Sequence, residues 1–551
     1  MRLAMLAFLA VLAAPAFGSS AADTPVFMLG PICHGEPPPI EGPHKLVMID
    51  GMGNDRMAAD TTSPEAQRWF DYGLTLARSF EHGDAALAFR RAESADPACS
   101  LCVWGEAWAR GPTINFGAKP GEIPALLMLA KKAAALAAAN APARIKGLEA
   151  ALVDRYAASD AAAGDRAFAN DVDRMNKADP TDVEMAIFDA EAWLIMEGHD
   201  DPSGPTRAVA ALDPLMPTHP DASGLIHFYV HATEEAGVPE RAAPYAARLA
   251  TLAPMASHMV HMPSHTWYRI GRYGDAAQAN LQALRVDRAY AEKTGFPTPL
   301  GALVYHGHDI QFGLGGAMMS GDAVAALEFV REFNQDYPGP ATYDGRVEGV
   351  GGATWMALGR FEAPEKVLAA PDTVAADPYL EALRHYARGE ADLRLGRAAD
   401  VRAEAALVVA PTAAANATHA AVVGIARRTL LGEADLLDHH PDAAIAEFAA
   451  AAELQDTRLA HSVDPPAWWY PVRRSLAAAR LAAGDAAGAE READAVLRDW
   501  KLDPVTLAIR AGAERALHQP TAAKDARDAA GRWRGDAHSL QAETGSGAPR
   551  G

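Results

Sequence analysis

The chain has 551 residues, half of them apolar, and a formal net charge of −21 with histidine neutral. That length is too great for one compact core and calls for several domains or a repeat array. The charge repels phosphate backbones and anionic lipid, so no nucleic-acid partner is expected.

The chain opens with "MRLAMLAFLAVLAAPAFGSSAAD". Arg2 supplies a short positive start, an apolar run follows to about Phe17, and small residues come next. This is the pattern of a secretory signal peptide over 1–22, and its apolar run is short for a membrane span. No later segment is long and apolar enough to span. The mature protein is expected to be exported, secreted or periplasmic, without a transmembrane segment. Residues 23–62, with "EPPPIEGP", are rich in Pro, Gly and Asp and read as an extended arm.

Three cysteines are present: Cys33, Cys99 and Cys102. The last two form C-x-x-C, for which an exported protein favours a disulfide or structural role, with metal binding as the alternative. No histidine follows Cys102, so covalent haem attachment is not indicated. The two sulfurs are expected close together and outside any histidine cluster.

From Ser63 the chain is alanine-rich with helical periodicity. The stretch "WFDYGLTLARSFEHGDAALAFRRAESADP" places Trp69, Gly73, Ala85, Phe89, Ala92 and Pro97 at tetratricopeptide-repeat offsets. Gly432, Ala444, Phe448 and Ala451 repeat the pattern, and weaker copies lie near 306–332, 357–369 and 477–497. The prediction is an all-α tetratricopeptide-repeat α-solenoid, a superhelix of antiparallel helix pairs, over 63–535. The last residues, 536–551, lack apolar periodicity and are expected to form a disordered tail.

Within the solenoid, 219–309 holds a histidine cluster. "HFYVH" supplies His227 and His231, and "HMVHMPSH" supplies His258, His261 and His265. His227 and His261 are 34 residues apart, as are His231 and His265, and 34 is the repeat length. The pairs therefore sit at equivalent places on neighbouring first helices, each with its members on one helix face. Packed helices lie about 8–10 Å apart, so four imidazoles can converge on one point. Neutral imidazoles suit a transition metal such as Cu, Zn or Fe. Pro263 interrupts the second helix and re-aims its histidines. Glu234 and Glu235 follow His231 as an oxygen ligand or an acceptor for a ligand's second nitrogen. Metal-free ligand binding and plain packing are the competing readings.

Several stretches resemble a family of exported bacterial tetratricopeptide-repeat proteins with HxxxH and HxxHMPSH motifs. They are "TTSPEAQRWFDYGLTLARSFEHGDAALAFRRAESADPACSLCVWGEAWARGPTIN", "HPDASGLIHFYVHATEEAG", "APMASHMVHMPSHTWYRIGRYGDAAQAN" and "DPPAWWYPVRRSLAAARLAAGD". The resemblance covers roughly 60–500 and brings no settled reaction with it. It implies functional roles at His82, Glu106, Asn115, His219, His227, His231, His261, Met262, Ser264, His265, Asn280, His306 and Asp309. Two departures, Phe-Glu before His82 and no histidine in "GMGNDRM", weaken an N-terminal contribution. His306 should begin the next first helix and is expected as a fifth ligand or proton shuttle. His308, two residues on, is expected to point to solvent. Glu106 is either paired with an arginine such as Arg110 or functional.

Two functions follow. One is an exported solenoid binding a transition metal through groove histidines, with a metal-dependent enzyme as its extension. The alternative is a metal-free scaffold for a peptide or protein in the concave groove. No nucleophile elbow, phosphate loop or dinucleotide fingerprint is present to support other chemistry.

Overall fold

The computed structural model describes residues 44–544, apart from 120, 138–140, 200, 340–344, 372–376, 411–415 and 461–464. The predicted signal peptide, Cys33 and residues 545–551 lie outside the described residues. All regular elements among those described are helices, from Pro64–Arg78 to Ala537–Glu543. Consecutive helices pack on one another, as in Pro64–Arg78 on His82–Ala95 and Ala417–Leu437 on Pro441–Arg458.

The pairing has one recurrent cause. A Cβ on Gly73 would lie 2.9 Å from the Phe89 ring, on Gly432 2.8 Å from Phe448, and on Gly313 2.0 Å from Phe329. Each phenylalanine fills the space left by a glycine at the same sequence offset. That shared register makes the array a tetratricopeptide-repeat α-solenoid. Phe89 also touches the next helix, where a Cβ on Gly105 would stand 2.4 Å from its ring. One side chain thus ties three helices together. Gly105→Ala is expected to destabilise the chain by about 1–3 kcal/mol through overpacking. Chemical denaturation checks this; an unchanged midpoint would mean that Phe89 swings aside freely.

Cys99 and Cys102 form a disulfide at the start of the Ser100–Ala109 helix, and both are fully buried. Their sulfurs are therefore not metal ligands.

The arm departs from its simple reading. Its described part, from 44 to 62, lacks helix but is not free of the core, since Met52 and Met57 are buried. Asn54 accepts from the Ser223 N–H at 3.0 Å, and Asp55 accepts from the Gly224 N–H at 3.1 Å. The Gly51 carbonyl accepts from Met255 at 2.9 Å. The arm is a strap across the start of the Ser223–Glu235 helix, which carries His227 and His231.

The far end of the chain also returns to the middle. Tyr273 donates to the Lys501 carbonyl at 3.1 Å, and the Arg534 N–H donates to the Ser320 carbonyl at 2.8 Å. Gly321 faces the Trp533 ring, 2.4 Å from where its Cβ would be. The ordered array runs past the predicted end, because Ala537–Glu543 is helical with Leu540 and Ala542 buried. Two apolar anchors are too few to show as a period in the sequence. Among the described residues no helix is long and apolar enough to cross a membrane.

Candidate metal centre

Four helices supply the histidines. Ser223–Glu235 is buried along its whole length and presents His227 and His231 one turn apart. Ser257–His261 carries His258 and His261. Pro263, which has no N–H, breaks the ladder, and the helix resumes as Pro263–Arg269 with His265. His306–Ser320 carries His308.

The histidines form two triads, not one four-membered site. His227 Nε2 lies 3.1 Å from His258 Nε2 and 3.2 Å from His231 Nε2. His261 Nε2 lies 2.8 Å from His265 Nε2 and 3.2 Å from His308 Nε2. Within each triad the ligand atoms all fall within 4.8 Å of one another. Metal–nitrogen bonds of ~2.0 Å at tetrahedral angles separate the nitrogens by roughly 3.3 Å, so each triad matches one ion's reach. The triads adjoin, with the His231 and His265 rings 5.5 Å apart and His258 and His261 5.7 Å apart.

The 34-residue offset therefore acts differently from the expectation. Each i, i+4 pair supplies two histidines to its own triad. His231 of one pair and His265 of the other have their rings 5.5 Å apart, yet their ring nitrogens group with different partners. His258, one turn before His261, reaches back to the upstream pair, and His308 reaches in from the downstream helix.

The roles of His306 and His308 are reversed from the prediction. His308 is buried beside His261. His306 is also buried, but its Nδ1 meets Asp287 at 2.7 Å and its Nε2 meets Asp336 at 3.0 Å. Two residues along a helix turn a side chain by about 200°, so only one of the two can face the cluster. Burial opposes a charge on His306, but the hydrogen bonds and charges of Asp287 and Asp336 outweigh it and raise its pKa to about 9. An imidazolium donating from both nitrogens has no lone pair for a metal. His306→Phe should leave metal content unchanged and destabilise the chain by roughly 3 kcal/mol at neutral pH. Because the folded pKa is raised, this contribution is complete below about pH 6.5 and is lost as pH rises through about 9. A wild-type advantage that persists unchanged above pH 10 would contradict this.

Hydrogen bonding fixes three tautomers. Asn280 Nδ2 donates to the Ala276 carbonyl at 2.8 Å, so its Oδ1 faces His261 Nδ1, at 2.6 Å. His265 Nδ1 meets Glu234 Oε2 at 2.6 Å, and His227 Nδ1 meets the Arg78 carbonyl at 2.6 Å. All three partners only accept, so each histidine carries a proton on Nδ1 and, in its neutral form, presents Nε2 as the lone-pair atom. The Nε2 atoms of His261 and His265 face each other at 2.8 Å, close enough to share a proton or to hold one metal ion. Glu234 takes the acceptor role, held in turn by Arg269 at 2.7 Å. The Nδ1 atoms of His231, His258 and His308 have no hydrogen-bond partner, and their Nε2 atoms each face the Nε2 of His227 or His261 at 3.1–3.2 Å.

Burial also favours the neutral form of five of the six histidines. It lowers His227 and His308 to about 3 and His231, His258 and His261 well below the usual histidine value, with neighbouring imidazoles adding to the effect. Neutral imidazole is the metal-binding form.

The remaining candidates lie around or away from the triads. Asp309 is fully buried, with Oδ1 3.2 Å from His261 Nδ1 and Oδ2 accepting from Ser257 at 3.3 Å. His82 is buried, stacks on Phe80 at 5.5 Å and belongs to neither triad. Glu106 is ion-paired with Arg90 at 2.8 Å and Arg110 at 3.0 Å, which accounts for its burial. His219 is exposed and bonds Thr218. Met259 and Met262 belong to the apolar core.

Phe80 enters the sequence reading only in the Phe-Glu departure before His82, with no role there. Its ring lies 4.5 Å from His227, 4.7 Å from His258 and 5.6 Å from His231. It follows the Pro64–Arg78 helix with φ +64, a place that favours glycine. A phenylalanine held there is a strained choice, of the kind found at functional sites. The tetratricopeptide pattern, read for its conserved small residues, gives no reason to look at this turn.

No family model matches the sequence, and no curated protein matches it. Among solved structures, the human IFIT1 dimer with m7Gppp-AAAA is 11% identical, with a TM-score of 0.28 over 86% of this chain and 91% of that one. The P58(IPK) TPR domain is 11% identical, with a TM-score of 0.22 over 82% of this chain and 98% of that one. The APC/C hetero-tetramer Cut9-Hcn1 is 10% identical, with a TM-score of 0.23 over 88% of this chain and 96% of that one. Likeness at this level carries no argument about the site, and the fold stands on the packing described above.

Proposed function

We propose that this protein is an exported tetratricopeptide-repeat solenoid holding two transition-metal ions side by side, one in each histidine triad. The observation that carries the reading is the two groups of three buried histidines, each with its ligand atoms within 4.8 Å of one another. Three protein ligands per ion leave a coordination position open on each, the pattern of reactive rather than structural metal sites. A set of imidazoles without thiolate or carboxylate suits copper first, then zinc or iron. The buried Cys99–Cys102 disulfide supports an oxidising compartment, in keeping with the signal-peptide pattern of 1–22.

The alternative, a metal-free scaffold that uses these histidines as groove contacts for a peptide or protein, is disfavoured by their burial. The six are 0–3% exposed and offer nothing to a polypeptide in a groove. The test is titration of chelator-treated, untagged protein with copper and with zinc. Two tightly bound equivalents are expected. Saturation at one equivalent, or none, overturns the dinuclear reading.

A further inference from the structure

A cavity of about 270 Å³ lies against His258 of the first triad. Phe80 and Tyr305 line it beside His258, with the Tyr305 ring 4.5 Å and the Phe80 ring 4.7 Å from the His258 ring. Phe296 and the partly exposed Leu303 also line it. The volume is below the range for drug-sized ligands and admits a single ring. Aromatic walls select a flat, apolar ring body. Asp84 and Asp287 also line the cavity, and no lysine or arginine does, so nothing there receives an anion. His82 lines it too, only 8% exposed, and neither of its ring nitrogens has a hydrogen-bond partner. An unpartnered buried imidazole facing a cavity calls for a ligand hydroxyl.

We propose that this cavity binds the reducing substrate of the dinuclear centre, a neutral single-ring phenol of the o-diphenol class, with dioxygen as oxidant. The proposal rests on the two-metal reading above. One hydroxyl faces the His258 triad and the other meets His82. The chemistry balances. Two o-diphenols each lose two O–H protons and two electrons and become o-quinones. One dioxygen takes the four electrons and four protons, its O–O bond breaks, and two waters form. Adjacent copper sites supply the paired one-electron carriers this needs.

The experiment uses the full chain loaded with copper, with 4-methylcatechol as substrate, reading oxygen uptake, quinone absorbance and copper content. Wild type should consume one dioxygen per two quinones, and benzoate should not inhibit. Leu303→Trp narrows the cavity without touching a triad. It should keep two coppers and lose at least tenfold in kcat/KM. Two bound coppers without catechol-dependent oxygen uptake overturn the proposal, as does a Leu303→Trp variant as active as wild type or inhibition by benzoate as strong as by a neutral phenol. If wild type binds no copper, the two-metal reading itself fails. Calorimetry of 4-methylcatechol with the metal-free protein then decides the cavity alone: binding that Leu303→Trp abolishes keeps the phenol pocket, and no binding removes it.

Discussion

His265→Ala is expected to take the protein from two bound metal ions to one. The variant removes one of three nitrogens from the second triad and leaves His227, His231 and His258 intact. Loss of an outer partner of a metal ligand alone costs about 10–100-fold in affinity, so loss of the ligand should cost at least 100-fold. The substitution also strips Glu234 of the N–H it accepts, although Arg269 still holds that carboxylate. The helix itself should survive, because alanine suits it and the apolar packing of Trp267 and Tyr268 is untouched. His231→Ala should do the same to the first triad. Metal content per chain, read beside the far-ultraviolet circular dichroism, checks both. Loss of both ions from either single variant, with the helices intact, would show one shared site instead of two.

The second large effect is acid lability of the metal-free protein. Burial holds His227 and His308 at about 3, and His231, His258 and His261 are also lowered. In the unfolded chain these histidines titrate near 6.5. Between those values the unfolded state binds more protons, so stability rises with pH and is lost as pH falls from about 6.5 toward 3. His227 and His308 each contribute on the order of a few kcal/mol across that window, and His231, His258 and His261 add in the same direction. The metal-free chain should therefore unfold steeply between pH 6 and 4. Bound metal should move the transition to lower pH, since protons must displace it first. A metal-free protein stable to pH 3 would show that water reaches the cluster and that the burial argument fails.

The sequence disclosed the fold through residues whose spacing is set by packing. Gly73 with Phe89 and Gly432 with Phe448 keep one offset because each ring needs a glycine opposite it. The same logic exposed the two HxxxH pairs, since one helix face and one repeat length determine where they lie. It failed where position depends on a neighbour. Whether His306 or His308 faces the cluster turns on Asp287 and Asp336, which come from two other helices. His258 is one turn from His261 yet serves the other triad, because the upstream helix carries its partners. The strap and the returning C-terminal helices close over the middle of the array through contacts between distant segments, such as Asn54 with Ser223 and Tyr273 with Lys501. No periodicity reports such contacts, so histidines read as groove residues proved to be core.

Anomalous X-ray scattering from crystals of the copper-loaded protein, recorded at the copper absorption edge, tests the central claim most directly. Two separate peaks are expected, one bounded by the Nε2 atoms of His227, His231 and His258 and the other by those of His261, His265 and His308. A single peak shared by His227, His231, His261 and His265, or no peak among these histidines, would contradict the account.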